Sequence, residues 1–290
     1  MKIILILFVS IFLLILLDKI IARMYQNTKH PHHTTPGKYG IPFEEVHFPV
    51  GKNGQLYGWW IPTSRTAPTL ILVHGWGRNL SRMLPYIRNF HSLGYNLLAF
   101  DARNHGSSTS QKTPTVWTFT QDTCAAVNFI AESPLVSSQE IGVVGLSIGG
   151  GAVINAASWE DRIRSVITVG AFSHPVEVMK LGFQEKHIPY IPFGWLFFKY
   201  MRFRFRLNFN KIAPINNIHN TRADILLIHG DQDLTVPLAQ GRSLLEAGNP
   251  ETTHLWAVPG KGHSDCHTHP RFWEKIESFL QETLPLIIST

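Results

Sequence analysis

A hydroxyl, a carboxylate and an imidazole each stand just after an apolar run of this chain. Residues 141–152 read IGVVGLSIGGGA, which sets Ser147 between Gly145 and Gly149. Residues 229–237 read HGDQDLTVP, with Asp231 and Asp233 following the apolar run 224–228. Residues 259–263 read PGKGH and place His263 beyond the run 254–258. A serine hydroxyl is a weak nucleophile at neutral pH and needs a base within hydrogen-bond reach to take its proton. Imidazole suits that task because it titrates near neutrality. The base in turn needs a carboxylate that orients it and stabilises the imidazolium.

Ser147 sits in the pattern G-x-S-x-G, between a strand-like IGVV and a helix-like GGAVINAA. Such a serine occupies a sharp, strained turn that lifts its hydroxyl clear of the sheet. Gly145 and Gly149 then stand where side chains would clash. The helix beginning near Ile148 aims its N-terminal amides at the same spot, where they favour developing negative charge. Four histidines near the C-terminus compete as base. His254 stands at a strand start, away from the strand ends, and His267 and His269 read as surface loop. His263 follows a Pro-Gly-Lys-Gly loop that lets it reach back. The mixture HSDCHTH also holds zinc-ligand types, His263, Cys266, His267 and His269, but no CxxC or HExxH pattern elsewhere supports a metal site. Between Asp231 and Asp233 the residues alone leave the choice of acid open.

Positioning these groups falls to a set of short apolar runs: 69–73, 95–100, 141–144, 165–170, 224–228 and 254–258. Runs apolar on both faces predict strands of a parallel sheet covered by helices on each side. The stretches 80–93, 118–132, 150–158 and 237–247 are long enough for crossover helices. In open α/β sheets the site lies at the carboxyl ends of the strands, so residues distant in sequence converge there.

From about residue 45 to 285 the chain resembles the α/β-hydrolase superfamily, in its serine-hydrolase branch of esterases, lipases and lysophospholipases. Five segments carry the resemblance in the family's order: HGWG at 74–77, FDARNHGSS at 100–108, GLSIG at 145–149, HGDQDLTVP at 229–237 and PGKGH at 259–263. The resemblance implies a mostly parallel central sheet with helices on both faces and a cap insertion at about 172–215. It implies Ser147 as nucleophile, His263 as base and Asp233, fifth in H-G-x-x-D, as the acid, leaving Asp231 as a turn residue. The oxyanion donors are then the backbone amides of Ile148 and Trp76, with Gly77 as substitute for Trp76. Asp101 and Arg103 tie down a structural turn, and His74 is structural. The chemistry requires no cofactor or metal. Peptidase, acyltransferase and non-catalytic binding readings remain; the intact Ser, Asp and His oppose the last.

The composition is compatible with this. Of 290 residues 44% are hydrophobic and 16% charged, enough for a sizeable core. Two cysteines, Cys124 and Cys266, make no disulfide framework. Residues 1–25, MKIILILFVSIFLLILLDKIIARMY, predict an uncleaved membrane anchor. As a helix, Ile3 to Ile21 rises roughly 28 Å, close to the ~30 Å bilayer core. A signal peptide is the competing reading, but no A-x-A pattern follows. Lys2 flanks one side of the run and Lys19, Arg23 and Lys29 the other, partly offset by Asp18, so charge assigns no membrane side. Residues 26–44 read as a linker whose His30, His32 and His33 lie on the surface. The insertion carries seven cations between Lys180 and Lys211 against Glu177 and Glu185, interleaved with ten aromatics. Two readings of it stand side by side: aromatics that pack the cap on the core, or a lid facing lipid headgroups. A patch this short does not call for nucleic acid. The expected partners are a small-molecule or lipid acyl substrate and the bilayer.

Overall fold

The computed structural model describes residues 2–25, 29–111, 115–134 and 136–286. Eight strands form one sheet in the order β1-β2-β4-β3-β5-β6-β7-β8. β3 (Thr69–Val73), β4 (Asn96–Phe100), β5 (Ile141–Leu146), β6 (Ile163–Val169), β7 (Asp224–Gly230) and β8 (Thr253–Val258) run parallel. β1 (Glu44–Val50) and β2 (Gly54–Ile61) join antiparallel at one side. Every residue of β3, β4 and β5 is buried, because consecutive side chains enter cores on opposite faces. On β4, Leu98 and Phe100 enter one core while Leu97 and Ala99 enter the other.

The first core packs under α3 (Val116–Ala131) and α4 (Ile148–Ala157), the second under α2 (Leu84–Leu93) and α8 (Phe272–Thr283). α7 (Leu238–Ala247) packs on β7 and β8. The four expected crossover segments are therefore helical. β8, read from sequence as buried on both faces, is an edge strand with only Thr253 and Val258 buried.

Between β6 and β7 the chain forms α5 (Pro175–Glu185), a turn over Tyr190–Gly194 and α6 (Trp195–Phe205). The packing reading of its aromatics holds for some of them and not for others. Phe197, Phe198 and Phe209 are buried against the first core, whereas Ile191, Phe193 and Phe203 are 76%, 60% and 86% exposed.

The apolar N-terminal run is one helix, α1 (Lys2–Tyr25), long and apolar enough over Ile4–Ile21 to be a candidate membrane span. Most of its described side chains are exposed, but its last turns dock on the domain. Ile21 is fully buried in the core that also holds Phe198 and Met201, and Leu17 packs against that core. Asp18 accepts hydrogen bonds from Tyr200 Oη at 2.6 Å and Arg204 Nε at 2.8 Å. A charge that reads from sequence as the end of an apolar run thus joins α1 to α6.

The stretch after α1 is held rather than loose where it is described, residues 26–28 lying outside the described set. Asn79 Nδ2 donates to the carbonyls of His30 and Pro31, each at 3.0 Å. His32 departs from the surface expectation: it bonds Asp101 Oδ2 at 2.8 Å and stacks on Tyr57. His30 and His33 are exposed.

Candidate active site

β5 ends directly in Ser147, whose φ of +54° and ψ of −117° lie outside the ordinary regions for a side-chain-bearing residue. Two glycines make this turn possible. A Cβ on Gly145 would lie 2.3 Å from the Gly149 carbonyl oxygen, and one on Gly149 would lie 2.6 Å from the carbonyl oxygens of Val73 and His74. The Ser147 amide donates to Val169 O at 2.9 Å, which fixes the turn against the neighbouring strand β6.

His263 Nε2 lies 3.0 Å from Ser147 Oγ, and its Nδ1 lies 2.7 Å from Asp233 Oδ2. A carboxylate only accepts, so Nδ1 carries the proton and Nε2 accepts from the serine hydroxyl. The other Asp233 oxygen, Oδ1, accepts the backbone amides of Thr235 and Val236 at 2.9 and 2.8 Å. Asp233 is buried, whereas Asp231 is exposed and its Oδ1 accepts the Gly260 amide at 2.8 Å. Asp231 thus braces the loop that carries His263.

The remaining histidines have separate settings. His74 accepts the Ala102 amide on Nε2 and donates from Nδ1 to Gly75 O, which fixes it as a neutral ring; burial also pushes its pKa down. His229 is buried with Nε2 donating to Val236 O, and burial lowers its pKa as well. His254 is exposed on β8, and His269 packs edge-on to Trp256. His267, read as surface loop, is half-buried and lines the cavity beside Ser147. Among the described residues no three His, Cys, Asp or Glu side chains converge as a metal site would require.

Ile148 opens α4 and Trp76 follows the end of β3, so both backbones flank Ser147. The Gly77 amide instead donates to His105 Nε2 at 3.2 Å. Asp101 and Arg103 do tie the turn after β4. Asp101 accepts the Leu80 and Ser107 amides, and Arg103 pairs with buried Asp122.

One residue in this region was not singled out from sequence. Gly170, at φ +67° just after β6, lies under the imidazole, and a Cβ there would be 3.0 Å from His263 Nδ1. Its only sequence signal is a glycine closing a strand between those that carry Ser147 and Asp233.

Two cavities meet at Ser147. One of about 340 Å³ lies under the cap and is walled by Val116, Phe172, Val178, Met179, Phe209 and Ile212 among others. The other, of about 260 Å³, is bordered by Arg78, Arg82, Tyr86, His263, Ser264 and His267. The half-buried Ser147 and His263, backed by buried Asp233, stand between a cavity with almost wholly apolar walls and one whose walls also carry two arginines and His267, the composition of a site for a molecule with one greasy and one polar end.

This fold, with its elbow after β5 and its cap between β6 and β7, is that of the α/β-hydrolases. The family model described as alpha/beta hydrolase fold matches residues 68–196, so the chain is similar to that superfamily in sequence as well as in fold, which supports hydrolase activity. The chain is 28% identical over 273 residues to the uncharacterized protein YfhR of Escherichia coli K12, covering 91% of this chain and 88% of that one. Its fold is similar to that of the Pyrococcus furiosus esterase Pf2001, with TM-score 0.74 and 22% identity over 89% of this chain and 98% of that one. It is also similar to the Penicillium α/β-hydrolase GrgF, with TM-score 0.67 and 19% identity over 84% and 99% of the two chains. A relative named polyketide transferase grgF matches 44% of this chain and 45% of its own length at 30% identity.

Proposed function

We propose that this protein is a membrane-anchored serine hydrolase that cleaves carboxylic esters through an acyl-enzyme. The observation that carries the reading is the unbroken relay Ser147 Oγ–His263–Asp233 at 3.0 and 2.7 Å, with Ser147 on a strained elbow. In this reading His263 Nε2 takes the Ser147 proton as Oγ attacks the carbonyl carbon. Negative charge gathers on the carbonyl oxygen, and this reading assigns the Ile148 and Trp76 amides to hold it. The tetrahedral intermediate collapses, the C–O bond to the alcohol breaks, and the imidazolium returns its proton to the leaving oxygen. Water then enters, His263 takes its proton, and the acyl group departs as the acid. Asp233, held by two amides, keeps the ring in the tautomer this cycle needs. The esterase name borne by the Pyrococcus neighbour agrees with ester chemistry. The transferase name of the grgF relative favours a second reading, in which an alcohol or amine replaces water as acceptor.

The bilayer reading rests on α1 together with the cap. The candidate span docks on α6 through Asp18, Tyr200 and Arg204, so exposed Phe203 lies on the helix that the anchor holds, and exposed Ile191 and Phe193 lie in the turn that leads into it. Aromatic and cationic side chains of this kind suit the headgroup boundary.

The test is labelling by a fluorophosphonate, which requires an activated serine and no knowledge of the substrate. Wild type labels and Ser147→Ala does not. A folded wild type that stays unlabelled with detergent and lipid present overturns the reading. Product analysis with an ester and added alcohol separates hydrolysis from transfer.

A further inference from the structure

The two cavities at Ser147 differ in chemistry, and the position of His263 tells which end of an ester enters each. The imidazole that deprotonates Ser147 must later protonate the leaving oxygen, so the alcohol side of the ester lies on the His263 side. His263 borders the 260 Å³ cavity and not the 340 Å³ one. The apolar cavity under the cap is thereby left for the acyl chain, and the alcohol meets Arg78, Arg82, Tyr86, Ser264 and His267.

The charge on that wall is one-sided. Two arginines border the cavity, and no carboxylate does. Arg82 is half-buried and donates one bond, from Nη2 to Ser264 O at 2.7 Å, out of a guanidinium capacity of five. Arg78 is exposed, and no carboxylate pairs with it among the described residues. Asp265, on the loop that carries His263, is exposed and accepts the Gly262 amide. Both arginines also border an adjoining groove of about 510 Å³ that reaches His30 and His33, so the basic wall continues outward from the serine. His267 adds a neutral imidazole rather than a third charge, because burial, and then the Arg82 cation, pull its pKa down. An uncompensated pair of guanidinium groups is suited to a phosphate, whose oxygens match the planar donor fork.

We propose that this wall is a subsite for an anionic leaving group, so that the preferred substrate is an acyl ester whose alcohol carries a phosphate. The inference rests on the hydrolase reading given above and adds the substrate class. Ser147 Oγ bonds to the acyl carbon, the bond from that carbon to the alcohol oxygen breaks, and the proton held on His263 goes to that oxygen. Water releases the acid, and the phosphate ester is never broken. The products are a carboxylic acid and a phosphorylated alcohol.

The test compares two soluble substrates with the same acyl chain, 1-butyrylglycerol 3-phosphate and 1-butyrylglycerol. The quantity read is the ratio of their kcat/KM values in the full-length protein in neutral detergent. In wild type the phosphorylated ester is preferred at least tenfold. Arg78→Gln and Arg82→Gln each lower that ratio at least threefold, and the double variant removes the preference. Arg82→Lys retains part of it, since charge survives and the fork does not. Were Arg82 only a brace for the Ser264 loop, its loss would slow both substrates alike and leave the ratio in place. A wild-type ratio within threefold of unity, or a ratio that neither substitution moves, overturns the proposal. Fluorophosphonate labelling of Ser147 in the same preparation keeps this apart from the hydrolase reading. A labelled enzyme without the preference loses the subsite alone, whereas an unlabelled one loses both.

Discussion

Replacing Asp233 by asparagine tests the relay with almost no change of shape. Oδ1 of Asp233 accepts two backbone amides, from Thr235 and Val236, and Oδ2 faces His263 Nδ1. In Asp233→Asn the side-chain carbonyl must stay on the two amides, because an NH2 group cannot accept them. Turning the amide over gives up two hydrogen bonds of about 1–1.5 kcal/mol each, or about 2–3 kcal/mol together. The asparagine NH2 therefore points at His263 in all but roughly one molecule in 30 to 150. Nδ1 must then accept, Nε2 carries the proton, and the ring cannot take one from Ser147. This tautomer penalty alone lowers kcat at least thirtyfold. Loss of the charge that stabilises the imidazolium extends the loss toward about 10⁴-fold, the magnitude known for such a change in a serine protease. The assay is kcat on a neutral butyrate ester at pH 7.5, with circular dichroism and thermal melting to show that the fold survives. Asp231→Asn is the control; its side chain still accepts the Gly260 amide, and it stays within threefold of wild type. A folded Asp233→Asn protein within tenfold of wild type refutes the tautomer argument and the assignment of Asp233 with it.

Three further outcomes are expected. Gly170→Ala forces a side chain into a positive-φ position at about 1–2 kcal/mol and pushes on the His263 ring, so kcat falls at least tenfold; full activity would show that the ring has room to move. Burial, followed by the neighbouring His74, holds the His105 pKa down at about 4 in the folded state, against 6.5 for the free side chain. The unfolded chain therefore takes up this proton first, and the stability His105 contributes is complete above pH 6.5 and lost as pH falls toward 4, by about 3 kcal/mol in all. Urea unfolding of His105→Gln at pH 7, 5.5 and 4.5 should lose that slope, and an unchanged slope counts against a neutral buried ring. A chain beginning at Lys29 should leave the membrane pellet and keep its labelling, while losing about 1.5–3 kcal/mol through the missing Ile21 contact; continued quantitative pelleting would mean that α1 is not what holds the protein to membranes.

What could be read from sequence divides along physical lines. Strands buried on both faces announce themselves as unbroken apolar runs, which is why β3, β4, β5 and β7 stand out. β1 does not: only Phe48 and Val50 of its seven residues are buried, and Pro49 interrupts it. The surroundings of Ser147 were legible because the tight turn leaves its mark as adjacent glycines, and His263 because a loop delivers it from a strand end. Partners far away in sequence leave no such mark. Nothing local says that Asp18 meets Arg204, that His32 turns inward to Asp101, or that Arg78 and Arg82 border the same cavity as His263. Choosing Asp233 over Asp231 needed the family pattern; in space the two differ in burial and in what they hold.

The relay is built from three separate strand ends, and its order along the chain has a temporal side. The Ser147–His263 hydrogen bond spans 116 residues and the His263–Asp233 bond 30. β5 and its elbow are synthesised early, but β7 and β8 add to the sheet only after the whole cap has been made. Contacts so remote in sequence form late, because the intervening loops must close first. During synthesis the serine therefore emerges unaccompanied, and it gains its imidazole only when the last strand has joined the edge of the sheet. In a refolding experiment, fluorophosphonate labelling would accordingly lag behind helix content and mark the arrival of β8, a clock for completion of the fold.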